Sequence, residues 1–342
     1  MPRNDRIFYA CQAVIIQAPT GSNVSSSNIV RGLQSVGMNS TFTLDQVFEL
    51  GQLEIYENIE DVADVEVSLE KVIDGEKLIF NLASNGACKT DLVAAAKSRC
   101  DVYVGIYDDG TSNATGAPRN VCWNSGMYIS NVSYNYSVDG NATESVTLVG
   151  NDKFWNSDAN QTTQTAFARY GNPTNSQFGS DTPSSGVVRR VNVNLGAGDG
   201  TGGGSHLPAL VREQKGDLAG NNNFHIQSVS VSADFGQENI LELGRFGPYA
   251  KFTSFPIEVT CEFEVIATSG DLKSVSGAGK NQPGLGDTII IRDTAGTVLN
   301  LGTKNKLTSI SYSGGDTGGG NSTVTYSYSN YNSLLVVDGG GA

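Results

Sequence analysis

Two histidines, His206 and His225, are the only imidazoles that could act as the general base of a nucleophilic triad. His206 follows a glycine run and His225 enters a polar-apolar stretch. No G-x-S-x-G elbow accompanies either one, so both read as loop residues. Gly198, Gly200 and Gly203 satisfy G-x-G-x-x-G by count, but a dinucleotide site needs a strand before the glycines and a helix after them. Here further Gly, Ser and then Pro208 follow, the composition of a flexible loop. Five cysteines (Cys11, Cys88, Cys100, Cys122, Cys261) lie far apart with no C-x-x-C pair, which does not fit a zinc cage. They read as reduced, packed thiols; Cys88 and Cys100, flanking a short predicted helix, would pair only in an oxidising environment. Carboxylates are plentiful, but spacing selects no pair for glycoside hydrolysis. The sequence therefore assigns no catalytic, cofactor-binding or metal residue, and the expectation is a protein that is not an enzyme and needs no cofactor.

The carboxylates matter more as a pattern. Glu57, Glu60, Asp61 and Asp64 lead into Val65–Glu70, where Val65, Val67 and Leu69 alternate with Glu66, Ser68 and Glu70. Farther on, Ile257, Val259, Cys261, Phe263 and Val265 alternate with Glu258, Thr260, Glu262 and Glu264. Strict period-two alternation predicts half-buried strands with acids on the open face. Such a face is either a solvated surface or a like-charged wall that repels phosphates.

The element that must position these acids occurs twice. Residues 34–56 (QSVGMNSTFTLDQVFELGQLEIY) and 227–249 (QSVSVSADFGQENILELGRFGPY) share eight of 23 positions without a gap. VEVSLE (65–70) aligns with IEVTCE (257–262) at an offset of 192, and DVYVGIYDDG (101–110) with DTIIIRDTAG (287–296). VSY (132–134) matches ISY (310–312), and Gly140-Asn141 matches Gly320-Asn321 in what read as hairpin turns. The order stays collinear, as expected of a duplicated module. Between the matched strands, TDLVAAAKSR (90–99) predicts a helix with Thr90 as N-cap and Asp91 in the first turn. Its counterpart, DLKSVSGAGKNQPGLG (271–286), is too rich in Gly and Pro for one. Residues 187–195 predict a strand, an expected counterpart of 6–17.

The totals bound the rest. The chain has 342 residues, 41 Gly and a formal net charge of −13. That is enough for two domains with their own cores, and no basic stripe exists to neutralise nucleic-acid phosphates. No 18-residue apolar run is present, and MPRNDRIFYACQAVIIQAP shows no cleavage signal. The expectation is synthesis in a cytoplasm without membrane insertion. Eight N-x-S/T triplets carry little meaning in so Asn- and Ser-rich a chain.

The stretch QSVSVSADFGQENILELGRFGPYAKFTSFPIEVTCEFEV (227–265) resembles the tail tube proteins of tailed bacteriophages. It is similar in the QSV strand, the E-L-G-x-x-G-P-Y turn and the F-P-x-E-V-x-C-E-F strand. The first copy keeps Glu49, Leu50, Gly51 and Tyr56 but has Glu54-Ile55 where the second has Gly247-Pro248. The resemblance implies a mainly β protein with two tandem tail-tube-type β-sandwich or barrel domains, 1–152 and 223–342. A helix would flank the first, and a loop-rich connector, 153–222, would join them and include the first strand of the second. It further implies stacked rings, trimers of a two-domain chain standing in for hexamers, around a lumen that passes genomic DNA. Implied partners are the chain itself, a sheath if the tail contracts, the tape measure, the baseplate and the tail terminator, all in a virion assembled in the host cytoplasm. By the same resemblance, Glu66, Glu70, Glu258, Glu262 and Glu264 face the lumen or a neighbouring subunit. Glu49, Leu50, Gly51 and Tyr56, with Glu242, Leu243, Gly244, Gly247, Pro248 and Tyr249, shape hairpins used between subunits, and 153–222 decorates the outside or bridges rings. Two alternatives stay open: another tail component (completion, distal-tail or baseplate protein), or a carbohydrate-binding adhesin using Trp123, Trp155, Tyr134 and Tyr136, aromatics that read more readily as core or interface.

Overall fold

In the computed structural model, residues 7, 9, 12–19, 28–107, 120–156, 186–195, 206–213, 225–273, 286–315, 317 and 319–339 are described. The glycine run 196–205, most of the connector and most of 271–286 lie outside them.

The alternating segments are strands. The first half contains β1 (Gln12–Gln17), β2 (Leu33–Thr41), β3 (Leu44–Phe48), β4 (Ile55–Glu60) and β5 (Asp64–Val72). Helices α1 (Ile79–Ala83) and α2 (Leu92–Ala96) precede β6 (Arg99–Ile106), β7 (Asn120–Ser137), β8 (Thr143–Gly150) and β9 (Asp152–Asn156). The second half contains β10 (Val193–Asn194), α3 (Ala209–Glu213), β11 (Ile226–Asp234), β12 (Gln237–Ile240), β13 (Ala250–Thr253) and β14 (Glu258–Ile266). It ends with β15 (Ile290–Asp293), β16 (Val298–Asn300), β17 (Lys306–Ser313), β18 (Thr323–Tyr331) and β19 (Leu335–Val337). The protein is mainly β. No helix among the described residues is long and apolar enough to cross a membrane.

Eight of these strands form one path, β17-β18-β14-β11-β7-β8-β5-β2. The first four come from the second half and the last four from the first, in the same relative order. Strand β11 joins the halves by antiparallel pairing to β7, with Val231 opposite Tyr134 and Ala233 opposite Val132. A second layer repeats as well. Strands β1, β6, the start of β7 and β9 pair in the first half, and β10, β15, β16 and β19 in the second. Each half is thus a two-layer sandwich, and one continuous sheet runs through both.

Irregularities repeat too. Bulges fall between Leu33 and Ser35 and between Ile226 and Ser228. Others fall between Ile129 and Asn131 and between Leu307 and Ser309. The bulges also correct the expected alignment of β5 with β14. Ser35 lies opposite Glu70 and Ser228 opposite Glu264, which makes the offset 194 rather than 192. The extra residue sits in the Ser254–Ile257 link. A slip of two residues keeps every side chain on its own face, so alternation could not expose it.

The core is formed by one face of the long sheet, the second layer and the helices. Val65, Val67, Leu69, Val259, Cys261, Phe263 and Val265 are all buried, as alternation required. Asp91, not Thr90, caps α2: its Oδ1 accepts from the Val93 backbone N–H at 3.0 Å, while the Thr90 hydroxyl donates to the Ala87 carbonyl. The carboxylate wins because it also meets the partial positive charge of the helix start. Helix α1 was not foreseen. Its seat is the buried carboxylate of Glu144 on β8, which accepts from the N–H groups of Ile79 (2.6 Å) and Phe80 (3.0 Å) and from the Tyr134 hydroxyl (3.1 Å). Strand β9 begins at 152, and Val188, Leu207 and Val211 of the segment read as connector are buried.

Candidate functional site

Away from the core, the eight-stranded sheet presents a face made almost entirely of short polar side chains. In register across the junction, Ser228, Ser230 and Ser232 of β11 lie opposite Ser137, Asn135 and Ser133 of β7. They also lie opposite Glu264, Glu262 and Thr260 of β14. The row continues through Ser327 and Thr325 of β18 to Ser309 and Ser311 of β17. On the other side it runs through Thr147 and Ser145 of β8 and Ser68 and Glu70 of β5 to Gly37 and Ser35 of β2.

All five acids singled out from the sequence, Glu66, Glu70, Glu258, Glu262 and Glu264, sit on this face. The corrected register pairs them differently. Asp64 corresponds to Glu258, Ser68 to Glu262 and Glu70 to Glu264, while Glu66 corresponds to Thr260. Some are held by neighbours: Ser228 donates to Glu264 and Ser327 to Glu262, both at 3.1 Å. Within the eight strands the only cations are Lys306, at the outer edge, and Lys71, buried on the core side. Lys71 Nζ lies 3.2 Å from Asp74 Oδ1 and donates to the Lys77 carbonyl at 2.9 Å. The open face of the described strands is therefore acidic and hydroxyl-rich and carries no cation but the edge Lys306 to hold a phosphate.

The two hairpins, β3–β4 and β12–β13, follow β2 and β11 and carry exposed apolar side chains. Leu44, Val47, Phe48, Leu50 and Leu53 are exposed on the first. Leu241, Leu243, Phe246, Tyr249 and Phe252 are exposed on the second. Clusters of this kind mark contact surfaces. The E-L-G segments lie in their connecting loops. The Gln52 N–H donates to the Glu49 carbonyl with Gly51 at φ +95°, and the Arg245 N–H donates to the Glu242 carbonyl with Gly244 at φ +83°. Positive φ at the third position makes a type II turn, which glycine occupies without a Cβ clash. Leu50 and Leu243 are thereby pushed fully into solvent. Tyr56 lies in β4, and Gly247-Pro248 precede Tyr249, whose N–H donates to the Ile240 carbonyl at 2.8 Å.

The remaining candidates fall elsewhere. Trp123, Tyr134 and Tyr136 are buried and cannot stack on a sugar; Trp155 alone of the four is exposed. Cys88, Cys100, Cys122 and Cys261 are free buried thiols, and burial pushes Cys88 up to about 12, an unreactive value. His206 and His225 offer their backbone carbonyls to the Ile290 and Ile266 N–H groups. Among the described residues no His, Cys, Asp or Glu group is arranged to hold a metal. Of the exposed apolar hairpin residues, the sequence reading named Leu50, Tyr56, Leu243 and Tyr249 but missed Leu44, Val47, Phe48, Leu53, Leu241, Phe246 and Phe252, and it missed the two sheet edges. The hairpin residues had a signal, in the apolar residues crowding both turns; the edges depend on sheet order.

No family model matches the sequence, and no curated protein is similar to it. Among solved structures, segments overlap a chain of an extracellular contractile injection system, the PVC sheath-tube complex in its extended state (11% identity, 45% of this chain and 93% of the other, TM-score 0.33). Others overlap chains of the anti-feeding prophage baseplate (10%, 44% and 95%, 0.33) and of its tube-terminating cap (13%, 46% and 95%, 0.34).

Proposed function

We propose that this chain is a structural subunit of a phage-type tail tube, assembling as stacked rings whose inner wall is the polar face of the eight-stranded sheet. One observation carries the reading: two strand sets in the same order form a single sheet with one uninterrupted acidic, hydroxyl-rich face. The sequence resemblance to tail tube proteins points the same way. In this reading the internal repeat gives one chain two quasi-equivalent positions, and three chains supply 24 strands. At the usual strand spacing and tilt, 24 strands close at about 45–50 Å between opposing backbones, ample for a duplex after side chains are subtracted. The wall would act by what it withholds. Short hydroxyls keep it hydrated and carboxylates repel phosphates, so DNA slides without adhering. The exposed hairpins would join neighbouring subunits and successive rings, and the rest of the tail, virion location included, would follow from that role.

The test is electron microscopy of the purified chain at rising concentration. Rings of three chains that stack into hollow tubes are expected; a chain that stays monomeric at the highest soluble concentration would sink the proposal.

A further inference from the structure

Among the described residues the long sheet ends in two edges that pair with no further strand, β2 and β17. Each carries one bulge, between Leu33 and Ser35 and between Leu307 and Ser309, and little else that blunts an edge. Strand β2 (LQSVGMNST) has no charge and no proline, and β17 (KLTSISYS) has one lysine at its outer end. Both are repeat counterparts of strands that are paired inside the chain: β2 of β11, and β17 of β7.

We infer that β2 of one chain pairs antiparallel with β17 of a second copy, reproducing the β11–β7 junction residue for residue. This rests on the ring reading above and specifies its partner surface. The internal register transfers directly through the repeat. Ser232 opposite Ser133 becomes Asn39 opposite Ser311, and Val231 opposite Tyr134 becomes Met38 opposite Tyr312. Ala233 opposite Val132 becomes Ser40 opposite Ile310. The bond from the Phe235 N–H to the Ser130 carbonyl, 2.8 Å, becomes one from the Phe42 N–H to the Thr308 carbonyl of the second copy.

Burial supports this pairing from an independent direction. At the internal junction Phe235 and Tyr134 are 0% exposed, and the Phe235 ring packs 5.9 Å from Phe80. Their counterparts at the open edges, Phe42 and Tyr312, are 64% and 53% exposed. Phe42 and Tyr312 are thus left in water where their counterparts are covered by the internal junction, as a missing neighbour would leave them. The polar face also continues without a break, since Asn39, Ser311, Thr41 and Ser309 meet on that side.

A paired-cysteine experiment on the full chain tests the register. Because Phe235 and Ser130 form a hydrogen-bonded pair, the flanking polar-face pairs are of the close, non-hydrogen-bonded kind suited to a disulfide. The double variant Asn39→Cys/Ser311→Cys should convert under mild oxidation from monomer into covalent multimers. The displaced pair Asn39→Cys/Ser309→Cys should stay monomeric on a non-reducing gel. Phe42→Asp, at an exposed position, should abolish multimers while leaving the melting temperature of the monomer unchanged. Rings without the 39/311 cross-link, or equal cross-linking of both pairs, would overturn this junction and leave the tube reading standing. Cross-linked open chains that never close would support the junction and remove the ring. A chain that neither cross-links nor assembles would overturn both.

Discussion

Lys89 Nζ lies 2.7 Å from Oδ1 of Asp338, joining a turn of the first half to the residue just after β19 in the second. Asp338 is buried, and its other oxygen accepts from the Asn81 side chain. The Gln237 side chain likewise donates to the Ile129 carbonyl at 2.8 Å, and the Thr253 hydroxyl to the Ala96 carbonyl at 3.1 Å. These are bonds between halves, so the chain should unfold as one unit. Asp338→Ala leaves an amide and a partly exposed ammonium without an acceptor and should cost about 1–3 kcal/mol. Asp338→Asn, which keeps a carbonyl oxygen for Asn81, should cost less. Urea denaturation should show one transition with a lowered midpoint and an unchanged slope. Two separated transitions would contradict the coupling.

The hairpin loops should matter for assembly and not for folding. Leu50 and Leu243 contact nothing that a polar residue would disturb, so Leu50→Ser/Leu243→Ser should alter folding stability by no more than about 0.5 kcal/mol. If the hairpins join successive rings, sedimentation and microscopy should find rings in place of tubes. Tubes of normal length from this variant would remove the loops from any stacking role.

On the sheet face the expected effect is electrostatic. Glu66 and Glu258 are exposed and point away from the core. Glu66→Lys/Glu258→Lys should leave folding and oligomer mass intact. Assembled particles should then retain duplex DNA in a filter assay, and retention should fall steeply with salt. The unaltered protein should retain none at any salt. Equal retention by both would place this face away from the lumen.

The strands themselves were legible because period-two alternation records a sheet with one dry side. Val65–Glu70 and Ile257–Val265 show it plainly, and placing all five acids on one face followed at once. The two-residue error between β5 and β14 was beyond that signal, because Val65 is apolar at either alignment and only the bulges at Gln34 and Gln227 discriminate. Helix α1 was hidden for another reason. Leu78–Ala83 carries no capping side chain, and its first N–H groups are satisfied by Glu144, 65 residues away. The two sheet edges depend on sheet order, which no local pattern in β2 or β17 encodes.

Glu144 also fixes a pH dependence. Burial raises its carboxyl above the ordinary value, opposed by Lys71, by the Phe80 and Ile79 N–H groups and by the Tyr134 hydroxyl. A carboxyl with a raised folded pKa holds its proton more tightly in the folded state. Its contribution to stability is therefore complete below the unfolded value, about 4.3, and declines as pH rises through the folded value. Glu144→Gln cannot titrate, and it turns an amide donor toward two backbone donors, so it should be less stable at every pH by about 1–3 kcal/mol. The gap between the two proteins should be widest near pH 4 and narrow as pH rises toward neutrality. Thermal melts across that range measure it directly. A gap that widens with pH would mean that the Lys71 ammonium and the helix N–H groups outweigh burial, and that the ionised form is the one the fold prefers.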